Sequence, residues 1–135
     1  MGMGLRMPRD VSWPDRSDPG ALPLKDFRNL RFKLIPLITE GPMVVKTAVR
    51  SQPAILGQKV ALRHFRGPGY VETDVHVGSS FLASQIVSVC RGHGKQFSAD
   101  VGIVLQAETA EELPERLLGC ASFNRIDINL RRKLD

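Results

Sequence analysis

The most restrictive feature of this sequence is a strict alternation of apolar and polar side chains over residues 70–77. Successive side chains of a strand point to opposite faces, so the alternation predicts a sheet with one buried face and one polar face. The preceding segment, Arg66-Gly67-Pro68-Gly69, is typical of a tight turn, because proline presets one dihedral and glycine accepts positive φ. A second strand is predicted before that turn, over residues 59–65. The sequence therefore predicts an antiparallel hairpin of strands 59–65 and 70–77.

A helix is predicted directly after this hairpin, over residues 80–91. Gly78 ends the strand, and the hydroxyl of Ser79 or Ser80 can accept backbone N–H groups at the start of a helix. Apolar side chains occupy much of the helix circumference, namely Phe81, Leu82, Ile86, Val87 and Val89. Such a pattern is typical of a helix that lies in a core or is covered by a partner.

The remaining elements follow from similar patterns. Alternation predicts strands over residues 30–35 (closed by Pro36), 43–50, 99–107 and 122–130, the last with Ile126, Ile128 and Leu130 pointing inward. Thr109 and Glu112 have the spacing of a capping box, which predicts a second helix over residues 110–119. Together these elements predict an α+β fold, in which a curved antiparallel sheet of about five or six strands packs against two helices, 80–91 and 110–119.

Length and composition predict one soluble domain with an N-terminal tail. Prolines interrupt every periodic segment of residues 1–26, so we expect a disordered or loosely ordered tail there and an ordered domain over residues 27–135. No apolar run approaches the roughly 20 residues that a membrane-spanning helix needs. Cys90 and Cys120 are few and lie among apolar neighbours, which favours buried, reduced thiols in a cytosolic protein over a disulfide or a metal site.

The positive charge of the chain is concentrated in its middle. Residues 41–95 contain seven lysines and arginines against Glu72 and Asp74: Lys46, Arg50, Lys59, Arg63, Arg66, Arg91 and Lys95. Such a surplus can face anionic lipid or phosphate, since each cation near an anionic membrane contributes about 1 kcal/mol. The alternative is an ordinary solvated surface, because the charges are scattered rather than clustered.

Few residues are candidates for chemistry. Glu72, Asp74 and His76 share one strand face at a spacing of roughly 7 Å, and with His64 as a fourth donor they would suit a metal site or a metal-dependent hydrolase. A solvated polar face is the favoured interpretation. Gly92-His93-Gly94-Lys95 lacks the other residues of a phosphate-binding loop and is interpreted as a turn. The sequence predicts no catalytic residue, metal site or cofactor, and no nucleic-acid partner.

Four ordered blocks of the sequence resemble one known family. They are residues 28–36 (RNLRFKLIP), 53–59 (PAILGQK), 69–80 (GYVETDVHVGSS) and 107–119 (AETAEELPERLLG). In this order and with these gaps they resemble the ENHANCED DISEASE RESISTANCE 2 C-terminal domain, about its C-terminal half. The family has no established catalytic residues, so none can be transferred to this chain.

The resemblance implies a non-enzymatic regulatory domain that associates with lipid or membranes, in the cytoplasm or peripherally on a membrane surface. We therefore predict a surface for anionic lipid that consists of Lys46, Arg50, Lys59, Arg63 and Arg66 for headgroups and Phe81, Leu82 and Ile86 for apolar contact. The alternative is a protein-interaction module, whose exposed sheet edge and apolar helix face pair with another chain.

Overall fold

The structure of the protein is a computed structural model that describes residues 2–5 and 24–130. Its helices and strands, in chain order, are β1 (Gly2–Leu5), α1 (Leu24–Arg31), β2 (Phe32–Glu40), α2 (Met43–Val49), β3 (Ala54–Ile55), β4 (Ala61–Gly67), β5 (Tyr70–His76), α3 (Phe81–Gly92), β6 (Ser98–Leu105) and β7 (Leu117–Asn124). Short 3-10 helices cover Leu56–Gln58, Val77–Ser79, Gly94–Gln96, Ala110–Glu112 and Ile128–Leu130. Helices combine with antiparallel strands, which confirms the predicted α+β class.

The described strands form two antiparallel sheets, whereas the sequence was interpreted as one. One sheet has the strand order β1-β5-β4 and the other β3-β2-β6-β7. Most of the predicted tail, residues 6–23, lies outside the described residues, and so does the C-terminal segment 131–135. Residues 2–5 form β1 and pair with β5.

The predicted hairpin is confirmed as β4 and β5. Gly67 pairs with Tyr70, so Pro68 and Gly69 form a two-residue loop, and Gly69 has a φ of +78° that favours glycine. On the inner face Leu62 and Thr73 are buried. The predicted alternation of β5 therefore places one side of the hairpin in the core.

Two hydrophobic clusters hold the layers together. The first joins the two sheets and consists of Phe32, Val60, Leu62 and Ile103, with Ala83 of α3 packed against it. The second lies where α2 and α3 cover the other end of β2 and β6, and consists of Ile38, Val45 and Ala99, with Val89 and Cys90 packed against them. Burial of each large apolar side chain contributes roughly 1.5–3 kcal/mol. Because β2 and β6 contribute residues to both clusters, they connect the two halves of the core.

The predicted strand over residues 43–50 is wrong, because this segment is helix α2. Val45 is fully buried and Val49, four residues later, packs against the same cluster, so the two valines share one helical face. Pro42 precedes the helix, and Arg50 ends it with a φ of 60°. Packing of Val45 against Ile38 and Ala99 has overridden the β propensity of the valines.

Pro36 does not close its strand as predicted, because β2 continues to Glu40. The backbone N–H of Gln106 donates to the carbonyl oxygen of Arg31, and main-chain groups alternate between the two sides of a strand. The position of the Pro36 nitrogen is therefore on the side away from β6. Within residues 24–130, β3 pairs only with Lys33 and Leu34, so no hydrogen bond to a described strand is lost at Pro36.

The predicted helix 110–119 and strand 122–130 are also wrong. Residues 110–112 form a single 3-10 turn, β7 begins at Leu117, and the chain leaves the sheet at Arg125. Ile126 and Leu130, which were predicted to point inward, are exposed; no side-chain position is described for Ile128.

Two glutamates explain why residues 110–119 are not helical. The Glu112 carboxylate accepts the backbone N–H of Glu108 and pairs with Arg31 at 3.2 Å. The Glu115 carboxylate accepts the backbone N–H of Ala107 and pairs with Lys33. Both glutamates therefore hold this segment against the start of β2, and these contacts lower the pKa of both carboxyls.

Candidate functional site

The five predicted basic residues are all exposed, but the fold separates them into two groups. Lys59 precedes β4, and Arg63 and Arg66 lie within it. Lys46 and Arg50 belong to α2 and its C-terminal cap. Because α2 packs in the second hydrophobic cluster and β4 packs in the first, the two groups lie on different parts of the molecule.

The start of α3 exposes two large apolar side chains. The Ser80 hydroxyl accepts the backbone N–H of Ala83 at 3.3 Å, which confirms the predicted serine cap. Ala83 packs against the first cluster, whereas Phe81 is 82% exposed and Leu82 is 68% exposed. Ile86, the third predicted apolar contact, is partly buried. An exposed Phe-Leu pair at a helix start is available for contact with another apolar surface.

A serine brings this helix start close to the beginning of β4. The backbone N–H of Ala61 donates to the Ser79 hydroxyl at 2.7 Å, and that hydroxyl donates to the carbonyl oxygen of His76 at 2.7 Å. Ser79 is two residues before Phe81, the first residue of α3, and Lys59 is two residues before Ala61, the first residue of β4. The hydrogen bond therefore joins the start of α3 to the start of β4, next to the turn that carries Lys59. Arg63 and Arg66 lie on opposite faces of β4, opposite Asp74 and Val71, but β4 is the edge strand of its sheet, so a surface that approaches this edge can contact both. Lys59, Arg63, Arg66, Phe81 and Leu82 are called the β4–α3 surface below.

The candidate metal ligands do not converge. His64 lies opposite Thr73 in the hairpin register, so it is on the inner face of the sheet, whereas Glu72, Asp74 and His76 are on the outer face. Among the described residues, no group of three or more histidine, cysteine, aspartate or glutamate side chains is arranged to hold a metal ion. The favoured interpretation of a polar sheet face agrees with this geometry.

His64 instead connects three elements of the fold. Its Nε2 lies 2.9 Å from Asn29 Oδ1 on α1, and its Nδ1 lies 3.0 Å from Thr73 Oγ1 on β5. Burial lowers the pKa of His64 below its ordinary value, and the positive charges of Arg28 and Lys25 lower it further. Sequence reasoning missed this contact because the helix that carries Asn29 was not predicted.

Acid should weaken the fold through His64. The folded state lowers the pKa of His64. The contribution of neutral His64 to the free energy of unfolding is therefore fully present above the ordinary histidine pKa, and it is lost as the pH falls through the folded-state pKa. We expect the free energy of unfolding to decrease between pH 7 and pH 5 more steeply in the wild type than in His64→Gln, because the unfolded chain binds a proton at His64 more readily than the folded chain does. Urea unfolding over this range measures the slopes. The exposed His76→Gln is the control and should keep the wild-type slope; equal slopes for His64→Gln and wild type would contradict the expectation.

Two further sequence interpretations meet different outcomes. Gly92-His93-Gly94-Lys95 is the end of α3 and a 3-10 helix, as the predicted turn requires, and Lys95 pairs with Asp127 at 2.6 Å.

Both cysteines are free. Cys90 is partly buried, which raises the pKa of its thiol, whereas the prediction that Cys120 is buried is wrong. Cys120 shares a face of β7 with Ser122 and Asn124, and all three are exposed.

None of the helices in the described part of the chain is long and apolar enough to cross a membrane.

Residues 17–127 match the protein family described as Protein ENHANCED DISEASE RESISTANCE 2, C-terminal. The chain belongs to this family. The suspected resemblance is thereby confirmed over the region that contains α1 to β7.

A curated relative gives the same result. The chain is 38% identical over 104 residues to a protein of Arabidopsis thaliana named Protein ENHANCED DISEASE RESISTANCE 2-like. The aligned region is 77% of this chain and 14% of that protein, so the chain corresponds to a small part of its relative. No solved structure shows significant similarity to the chain.

Proposed function

We propose that this member of the ENHANCED DISEASE RESISTANCE 2 C-terminal family is a non-enzymatic regulatory domain that binds anionic lipid at the surface of a cytoplasmic membrane. One observation carries the proposal: Ser79 ties the start of α3, where Phe81 and Leu82 are exposed, to the start of β4, and Lys59 just before β4 is exposed. A bilayer surface offers the matching chemistry, because anionic headgroups lie directly above an apolar interior.

The expected energies favour reversible binding. Each of Lys59, Arg63 and Arg66 would contribute about 1 kcal/mol near an anionic membrane. Transfer of a phenylalanine or leucine side chain out of water contributes roughly 1.5–3 kcal/mol when burial is complete. Lys46 and Arg50 lie on another part of the molecule and Ile86 is partly buried, so these three residues would contribute less.

Liposome co-sedimentation tests the proposal. The full chain should bind vesicles that contain phosphatidylserine at low salt, bind less as salt increases, and bind vesicles of phosphatidylcholine alone weakly. Absence of charge-dependent binding at low salt would refute lipid binding.

The apolar contribution has its own variant. Phe81→Ala with Leu82→Ala should weaken binding to anionic vesicles roughly tenfold or more, since about 1.4 kcal/mol corresponds to tenfold. Met43→Ala is the matched control, because Met43 is also highly exposed (72%) but lies at the start of α2. Equal loss in the two variants would show that Phe81 and Leu82 have no specific role.

A further inference from the structure

The outer edge of β7 has a row of main-chain groups with no partner in the described part of the chain. β7 pairs only with β6, and the Arg125 N–H donates to the Phe97 carbonyl oxygen at 3.0 Å. Because main-chain groups alternate between the two sides of a strand, residues 119, 121 and 123 also face β6. The N–H and C=O groups of Cys120, Ser122 and Asn124 therefore point outward.

This edge differs from the other sheet edges because it is long and uncharged. β7 contains eight residues, none of them charged, and Cys120, Ser122 and Asn124 are exposed. β4 also lies at a sheet edge but carries Arg63 and Arg66, and charged side chains discourage strand pairing. β3 has only two residues and β1 only four, against eight in β7. β7 is therefore the described edge best suited to accept another strand.

Charges at both ends of β7 select the partner. Arg116 precedes the strand and is exposed; Arg125 follows it, with a side chain that is 67% exposed and paired only with the exposed Glu40. A strand with an uncharged centre and acidic ends would place its carboxylates near both arginines. We propose that β7 binds, by strand addition, an extended segment of another protein that is uncharged in its centre and acidic at both ends.

The arginines at the two ends of β7 disfavour a second copy of this chain as the strand that pairs with β7. A two-fold antiparallel pairing centred on Ala121 would match the outward groups, with Cys120 opposite Ser122 of the other copy. It would also bring Arg116 of each copy beside Arg125 of the other, because Arg116 would lie opposite residue 126. Like charges at both ends of the pairing oppose it.

Designed peptides test the proposal on the full chain. The probe is a fluorescent nine-residue peptide with alternating valine and threonine in the centre and two glutamates at each end. We expect it to bind at least about fivefold more tightly than the same peptide with lysine ends, since an exposed ion pair contributes about 0.2–1 kcal/mol. Fluorescence anisotropy at low salt measures both affinities. Equal binding of both peptides, or no binding of either, would overturn the proposal.

Backbone and charge variants locate the contact. Ser122→Pro removes an N–H that does not face β6, so it should weaken binding of the glutamate-ended peptide at least about tenfold. Ser122→Ala loses only the hydroxyl contact to Asp100, so it should bind that peptide with the wild-type affinity. Arg116→Glu with Arg125→Glu should reverse the preference to the lysine-ended peptide. Lys46→Glu with Lys59→Glu makes the same change in net charge on α2 and in the turn before β4 and should keep the wild-type preference.

These variants also separate the other possible outcomes. If Ser122→Pro does not fold by circular dichroism, the charge reversal alone decides. A wild-type dimer in analytical ultracentrifugation that Ser122→Pro dissociates would assign the edge to a second copy and refute the proposal. Because β7 is not part of the β4–α3 surface, Ser122→Ala and the Arg116/Arg125 double variant should retain the lipid dependence on Phe81 and Leu82. Failure of the peptide test is therefore distinct from failure of lipid binding.

Discussion

Neutralising Lys59, Arg63 and Arg66 together, each by substitution with glutamine, should weaken binding to anionic vesicles about 100-fold at low salt. Three cations near an anionic surface contribute about 3 kcal/mol in total, and every 1.4 kcal/mol corresponds to a factor of ten. Arg63 lies opposite Asp74 in the hairpin register, so glutamine is used rather than glutamate to avoid two facing carboxylates. Co-sedimentation across a range of phosphatidylserine fractions measures the change.

The control for this variant keeps the net charge equal. Substitution of Arg91, Arg116 and Arg125 with glutamine also removes three charges and lowers the formal net charge from +5 to +2. These three arginines lie outside the β4–α3 surface, so binding should fall far less. A double variant with Lys46 and Arg50 substituted by glutamine should lie between the two. A similar loss in both triple variants would mean that only net charge matters, and the proposed surface would be wrong.

Gly57→Ala should be strongly destabilising, by about 3 kcal/mol or more in the free energy of unfolding. Gly57 lies in the 3-10 helix before β4, where a Cβ atom would come within 2.5 Å of Asn29 Cα and Cβ. Such a distance is too short for two carbon atoms, and the contact is with the body of α1 rather than with a flexible side chain. The helix and the 3-10 turn would have to move apart, which would also break the hydrogen bond between Asn29 and His64.

Urea unfolding at pH 7 measures this effect. Gly92→Ala is the matched control, because a Cβ at Gly92 meets no atom within 4 Å at the end of α3. Alanine is favoured over glycine in a helix by up to about 1 kcal/mol, so the control should be neutral or slightly stabilising. If Gly57→Ala unfolded at the same urea concentration as the wild type, the close contact between α1 and this turn would be contradicted. The Gly57 variant should also lose the pH dependence expected for His64.

Membrane binding and strand addition would use different elements of the fold. The β4–α3 surface belongs to the three-stranded sheet and the helix that follows it, whereas β7 is the edge of the four-stranded sheet. A domain attached to a bilayer through Phe81 and Leu82 would therefore still have a separate strand edge for another protein. Regulation would then consist of bringing a partner segment to a membrane, without a chemical step on this domain.

Sequence patterns predicted those elements whose signals are local. The hairpin of β4 and β5 follows from strict alternation and the Pro68-Gly69 loop, α3 from its serine cap, and β6 from the apolar residues at alternate positions 99, 101, 103 and 105. The predictions failed where partners distant in the sequence decide. Val45 is helical because it packs against Ile38 and Ala99, and the segment before β7 is held by Glu112 and Glu115, which lie more than 80 residues from Arg31 and Lys33.

The same division applies to the candidate sites. The sequence by itself determined the family, the excess of cations in the middle of the chain and the apolar start of α3, because these are properties of composition and of adjacent residues. Only the tertiary structure brought the start of β4 to the start of α3, separated Lys46 and Arg50 from that region, and turned His64 to the inner face. Among the described strands, it also left β7 with one neighbour. Strand order and helix packing decide which side chains meet, and both depend on contacts between residues far apart in the chain.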